Sequence, residues 1–372
     1  MRPPGGRPVK VESVRVAAYE FPLDEAEADG TLSWDSTTMV AVVVEGGGKR
    51  GVGYSYGAAA AGSVVVDTLR SVVVGTDVMD VAGTWEAMVR AVRNQGRVGV
   101  VSHAISAVDC ALWDLKARLL GVSLVELLGG GRDELPLYGS GGFVSLSEPQ
   151  LERQLLGWVR DRGFGRVKIK IGEDWGRRVE RDMERVQYAR SVVGDDVELY
   201  VDANGAYSRK QAVRVARELA HASATWFEEP VSSDDLEGLR EIRDLVVPDV
   251  TAGEYGYDLA YFARMLDAGA VDCLQVDVTR CGGITEFLRV AALAAVHGLE
   301  VSAHCAPAVS VAPCAAVPNL RHLEFFADHE RIEAMAFDGV LDPKGGVFRP
   351  DRSRPGAGLE LRAQDIERYR RR

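Results

Sequence analysis

The run VKIKIG, residues 167–172, sets Lys168 and Lys170 two residues apart in an otherwise apolar segment. On a strand, residues i and i+2 project from one face. Like charges side by side are destabilising there, and lysine is rarely buried unpaired. Further along, VDAN, FEEP and AGE carry Asp202, Glu228 and Glu254. Three acids at one place repel each other unless a cation neutralises them. Hard oxygen ligands of that number suit Mg²⁺, with water or substrate completing the shell. Asp277 and His304 follow in QVDV and SAH. A carboxylate bonded to one imidazole nitrogen fixes the tautomer and raises the basicity of the other. Glu324, in LEF, closes the series as an acid that could donate to a substrate oxygen.

These residues compose one chemistry. Lys170, crowded by Lys168 and partly desolvated, is expected to have its pKa lowered toward neutrality and to act as a general base. Lys168 shares that field and could hold an anionic group of the substrate. His304 with Asp277 is a second acid/base on the opposite side. Mg²⁺ flanked by two bases suits removal of a proton α to a carboxylate, because the enediolate needs a metal and donors around it. Taken singly, each residue has a blander reading. One acid can be a polar strand end facing water, a lysine pair can be salt-bridged to its neighbours, a lone histidine is more often structural, and Glu324 can be a rim acid. Three acids in successive units, preceded by the lysine pair, favour a site.

Such a site needs elements that bring its members together. Lys170, Asp202, Glu228, Glu254, Asp277, His304 and Glu324 each end a candidate strand, with steps of 20 to 32 residues between them. Each step accommodates one strand and one helix. The strands are LYGSGGF, VKIKIG, ELYVDAN, ATWFEEP, VTAGE, CLQVDV, EVSAHC and HLEFF, and amphipathic helices separate them. Strand–helix alternation repeated this often predicts a parallel sheet closed into a barrel, whose C-terminal strand ends share one mouth. An open doubly wound sheet competes, but no GxGxxG opens the first unit. Before residue 133 the pattern is α+β. VKVESVRVAAYEF, TTMVAVVVEG and the Gly-rich GKRGVGYSYG read as an antiparallel meander with Gly turns, followed by helices. FPLDEAEADGTLSWDS reads as a polar connection, and residues 1–7 as a disordered tail.

At these motifs the chain resembles the enolase superfamily, specifically the mandelate racemase group. KIK is similar to that family's KxK base motif, VDAN, FEEP and AGE to its three metal-ligand motifs, and SAH with QVDVTRCGG to its His–Asp dyad. AISAVDCALWDLKARLLGVSLVELLGG resembles the segment that joins the capping domain to the barrel. A Lys or His base with Mg²⁺ is the known chemistry of the superfamily. The resemblance implies an α/β fold: a modified TIM barrel, (β/α)₇β, under an α+β capping domain. The expected division is capping domain 1–132, barrel 133–340, and a segment 341–372 returning to the cap. It further implies Lys170 as the catalytic lysine, Glu324 as the electrophilic acid, and Asn204, Trp34 and Tyr54 near substrate, with Trp34 on a closing loop.

Group members dehydrate sugar acids or racemise 2-hydroxy acids. The polar, acidic connection favours a polyhydroxylated acid, so the expected reaction is dehydration of a sugar acid to a 2-keto-3-deoxy acid. A racemase or epimerase of 2-hydroxy acids is the alternative, then a lactone cycloisomerase. Muconate cycloisomerases and dipeptide epimerases fit less well, since those relatives carry a second lysine where Asp277 and His304 stand. A non-catalytic barrel used as a scaffold would leave gaps in the constellation. The expected partner is a small-molecule carboxylate. With a net charge of −11, general binding to nucleic acid or an anionic membrane is not expected. Five scattered cysteines with no CxxC and no leader-like apolar run point to a reducing cytoplasm. A homo-oligomer is expected from the family.

Overall fold

In the computed structural model, residues 8–371 are described; the tail expected over residues 1–7 lies outside them. The N-terminal sheet is antiparallel, in the order β1 (Ser13–Ala28), β2 (Ser33–Gly46), β3 (Lys49–Tyr56). Val40, Val42 and Val44 of β2 are buried in the same cluster as Ile105, Val108, Leu112 and Leu115. Those four lie on the long helix Val100–Leu120. Met39 and Ala41, on the other face of β2, belong to the main core. A sheet covered on both faces explains the unbroken apolar run of TTMVAVVVEG.

Two expectations for this region are corrected. Gly51 and Gly53 do not make turns. They lie within β3 because the long helix crosses there, and a Cβ at either would run into the carbonyl of Ala111 or Ala107. The turn itself is at Gly47 and Gly48, both at positive φ. The polar connection is also mostly strand. β1 continues to Ala28 and β2 starts at Ser33, with a register shift between Pro22 and Glu27. The result is a hairpin reaching beyond the sheet. Its tip is closed by Asp29, whose Oδ1 accepts from the Thr31 N–H at 2.6 Å and the Leu32 N–H at 2.8 Å.

The second part is the expected barrel. β4 (Leu135–Ser140), β5 (Arg166–Lys170), β6 (Glu198–Asp202), β7 (Ala224–Glu228), β8 (Asp249–Ala252), β9 (Cys273–Val276), β10 (Glu300–Ala303) and β11 (Leu320–Phe326) pair in parallel in that order, and β11 pairs back to β4. Helices between successive strands cover the outside. Val167 and Ile169 of β5 face that helical layer within the main core; Lys168 and Lys170 point into the barrel. Lower in the barrel, Tyr138, Tyr200 and Trp226 form a plug of aromatic rings with His322 among them.

The cap is fastened to the barrel beside the site. Asp109 of the long helix accepts from the Thr285 N–H at 2.9 Å and the Thr285 hydroxyl at 2.6 Å. Trp85 Nε1 donates to the Gly282 carbonyl at 2.7 Å. Gly283, at φ +89°, leaves room for the Asp109 carboxylate, which a Cβ would strike. The last residues return to the first strand: the Arg371 N–H donates to the Ala18 carbonyl at 2.9 Å, and Tyr369 packs on Phe21 with ring centroids 4.8 Å apart. Among the described residues, no helix is long and apolar enough to cross a membrane.

Candidate active site

Strand register assembles the site. Lys170, Asp202 and Glu228 are direct neighbours across β5, β6 and β7. Glu254, Asp277 and His304 sit just past the ends of β8, β9 and β10, and Glu324 lies within β11. Four non-glycine residues adopt positive φ immediately after these positions: Asn204, Glu229, Cys305 and Ala306. Backbone held in that region costs free energy and clusters at functional sites. All of the expected acids and bases are buried.

Carboxylate oxygens of Asp202, Glu228 and Glu254 lie within 4.8 Å of one another. Burial and the Asp202 carboxylate push Glu228 up to about 8 despite Lys168. Glu228 is thus short of positive charge, and three convergent carboxylates, an all-oxygen donor set, fit Mg²⁺. A second close set, His304, Cys305 and Glu324, mixes nitrogen, sulfur and oxygen, which does not suit that ion.

The dyad forms as expected. His304 Nδ1 donates to Asp277 Oδ2 at 2.8 Å, which leaves Nε2 facing Glu254 Oε2 at 3.3 Å and Glu324 Oε2 at 3.7 Å. Burial alone would lower His304; Cys305, Glu254 and Glu324 outweigh it and hold the imidazole well above its ordinary range. Asp277 is lowered: burial raises it, but the His304 bond and Arg280 prevail.

Three expectations are corrected here. Lys170 is not lowered toward neutrality. Burial and Lys168 push it down, but Asp202, ion-paired to its Nζ, raises it further. Lys168 does not face the cavity. Its Nζ lies 2.6 Å from Glu228 Oε1 and 2.8 Å from Glu324 Oε1, and only 1% of its side chain is exposed. It is a cross-brace beneath the site, outside the cavity lining. Glu324 is not a protonated acid. Burial raises it, but Lys168 and His304 hold it well below the ordinary carboxylate range. Its Oε1 accepts from Ser140 at 2.5 Å and its Oε2 from the Cys305 N–H at 3.0 Å.

Above these groups lies a cavity of about 510 Å³ between barrel and cap. Trp34 and Asn204 line it, with Lys170, Glu254, His304 and Glu324. Tyr54 does not. It is buried below, its hydroxyl bonded to Glu333 Oε1 at 2.5 Å, and Tyr56 takes the lining position. Arg280 also lines the cavity, with Nη1 at 3.2 Å from Glu254 Oε1. Asp328, His329, Thr37 and His103 also line it. The spacing of strand ends does not reach them, since Thr37 lies within β2 and His103 on the long helix; for Asp328 and His329 the DH pair one residue after LEFF was the available signal.

Two family models match, "Enolase C-terminal domain-like" over residues 150–366 and "Mandelate racemase / muconate lactonizing enzyme, N-terminal domain" over residues 14–129. The chain belongs to the mandelate racemase/muconate lactonizing enzyme family. Within it, the chain is 32% identical over 364 residues to 3,6-anhydro-alpha-L-galactonate cycloisomerase of Streptomyces coelicolor, covering 96% of this chain and 98% of that one. It is 30% identical over 328 residues to L-talarate/galactarate dehydratase of Salmonella typhimurium, covering 85% and 81%. A crystal structure of that dehydratase, liganded with Mg and L-lyxarohydroxamate, superposes with a TM-score of 0.90 at 27% identity, covering 100% and 95%. A mandelate racemase/muconate lactonizing enzyme-like protein from Rubrobacter xylanophilus superposes with a TM-score of 0.94 at 50% identity, covering 97% and 100%.

Proposed function

We propose that this enzyme is a magnesium-dependent acid-sugar dehydratase that removes the proton α to the substrate carboxylate and expels the 3-hydroxyl, giving a 2-keto-3-deoxy acid. The observation that carries this reading is the placement of two bases, Lys170 and the Asp277-oriented His304, around one carboxylate triad. Asp202, Glu228 and Glu254 would hold Mg²⁺. Bound there, the ion would polarise the substrate carboxylate and stabilise charge that develops on it.

The chain's own groups do the rest. Lys170 and His304 are the two proton-transfer groups: Asp202 and Glu254, which now hold them protonated, would be neutralised on holding the metal, and the substrate face presented to each base then decides which takes the α-proton. His304, once protonated, can give its proton to the departing hydroxyl, which leaves as water. Asp277 keeps the His304 ring oriented. Glu324 and Lys168 form a fixed ion pair at the back of the site, with Glu324 open to the cavity. Asn204 and Trp34 contact substrate. The hairpin tip excludes water from above.

Turnover of a sugar-acid library with Mg²⁺ in D₂O, read as keto acid and as α-proton exchange, tests this. Keto acid from a polyhydroxy acid is expected. Lys170→Ala and His304→Asn should each remove it, and turnover unchanged in both would sink the proposal. Coverage of almost the whole chain by a cycloisomerase supports a second reading, isomerisation of a sugar lactone or anhydro acid. Product isomeric with substrate and no loss of water would establish it. The same reading divides the chain at residues 132 and 340, and places the enzyme as a homo-oligomer in the cytoplasm. The five free, buried cysteines accord with a reducing compartment.

A further inference from the structure

The cavity has two walls of opposite chemistry. Its cationic groups, Lys170, Arg280 and His304, all come from the barrel, and each already contacts a carboxylate of the site. The facing wall is made by the hairpin and by the helix Ala327–Ala336. It contributes Asp29, Ser36, Thr37, Thr38, Asp328 and His329, which are two carboxylates, three hydroxyls and one imidazole. Arg331, on the same helix, lies outside the lining, and its Nη2 is bonded to Asp328 Oδ1 at 2.6 Å. Asp328 Oδ2 accepts from the Thr37 hydroxyl. A third carboxyl, Glu27, stands behind Trp34 and accepts from its Nε1 at 3.2 Å.

His329 is a neutral donor on this wall. Its Nδ1 accepts from the Ala306 N–H at 3.1 Å, so the ring proton sits on Nε2. Burial pushes its pKa down to about 4. The ring is held flat on Tyr56, with centroids 3.5 Å apart. Among the described residues its Nε2 has no hydrogen-bond partner. The wall therefore offers acceptors to hydroxyl protons and one fixed N–H to a hydroxyl oxygen. For a carboxylate the described residues leave no free counter-charge, because Arg331 is already paired with Asp328.

We propose that this wall is a subsite for the uncharged, hydroxyl-bearing end of the substrate, so that the enzyme takes aldonates, with one carboxylate, and rejects the matching aldarates, with two. This rests on the acid-sugar reading above. One substrate carboxylate goes to the metal side; a second would be desolvated against Asp328 and Asp29 without a partner. The two curated relatives fall on both sides of this division, one named for a galactonate derivative and the other for talarate and galactarate. The charge of this chain's own wall decides between them.

The test compares kcat/KM of the Mg²⁺-loaded enzyme on the full set of hexonates and on the hexarates of the same configuration, in D₂O. We expect the aldonate that reacts fastest to exceed its aldarate by at least about a hundredfold. An aldarate that reacts as fast as its aldonate overturns the inference, and keto acid from that aldarate would leave the dehydratase reading standing. Selective α-proton exchange of an aldonate without keto acid has the opposite meaning: the subsite stands and dehydration falls. Asp328→Asn removes one carboxylate and frees Arg331. It should raise the aldarate-to-aldonate ratio by at least about tenfold, mainly through the KM of the aldarate. An unchanged ratio in a folded, Mg²⁺-binding variant overturns the proposal; should that variant fail to fold, the wild-type comparison decides alone.

Discussion

At the scale of single residues, the site works by pairing groups whose charges would be intolerable alone. Lys168 is the clearest case, since its ammonium neutralises Glu228 and Glu324 from below. Replacing it with methionine leaves two buried carboxylates facing each other. We expect a loss of about 3–5 kcal/mol in unfolding free energy, checked by denaturant titration. Asp277→Asn keeps His304 in place but replaces an acceptor-only carboxylate with an amide whose NH₂ can donate to Nδ1, so the ring proton is no longer fixed there. It should lower kcat by about 10²–10⁴-fold with a smaller effect on KM, measured by steady-state kinetics. Which residues converge at the candidate site was largely readable from sequence, because each sits at or near a strand end and the strands alternate cleanly. Their protonation was not. The mutual crowding of Lys168 and Lys170 is visible in KIK, but the acids that outweigh it lie on neighbouring strands and depend on register. Tyr54 and Tyr56 show a second limit. Parity puts both on one face of β3, and only depth in the fold decides which one meets the cavity.

At the scale of elements, the fastening of the long helix to the loop after β9 sets the relation of cap to site. Burial, opposed by the Thr285 bonds, raises Asp109 to about 7 from an ordinary value of 3.8. The folded chain therefore holds this proton more tightly than the unfolded chain. The associated stability is complete below about pH 4 and is lost as pH rises through 7. Asp109→Asn does not ionise; its carbonyl can still accept from the Thr285 N–H, while its NH₂ would donate to the Thr285 hydroxyl in place of accepting from it. Its stability, relative to wild type, should rise across that window by the slope of one proton, as read from thermal melts at several pH values. A flat difference would mean that Asp109 ionises freely. Gly53→Ala forces the long helix off β3 and should cost about 1–3 kcal/mol. Of the elements, the eight barrel strands were legible from their apolar runs. The hairpin was hidden because residues 22–36 face the cavity and solvent, not an apolar core, and so show no alternation. The helix Pro307–Ala316 was hidden by its two prolines, one at the helix start and one inside it.

At the scale of the whole molecule, binding of the metal and folding are linked. Mg²⁺ at a hundred times its dissociation constant should stabilise the protein by about 2.7 kcal/mol, so chelation by EDTA should lower the melting temperature, and Glu228→Gln should abolish that response. A melting temperature indifferent to EDTA in the wild type would argue against the triad as a metal site. Chain ends matter at this scale too. Removing residues 369–372 strips the Tyr369–Phe21 packing and the bond to Ala18, and should lower the melting temperature of an otherwise active enzyme. The same closure guards against association between copies. β1 is an edge strand, and residues 370 and 371 occupy part of its otherwise unpaired side. A molecule stripped of them would offer that edge as a template to a second sheet, so the segment that steadies one molecule also keeps two apart.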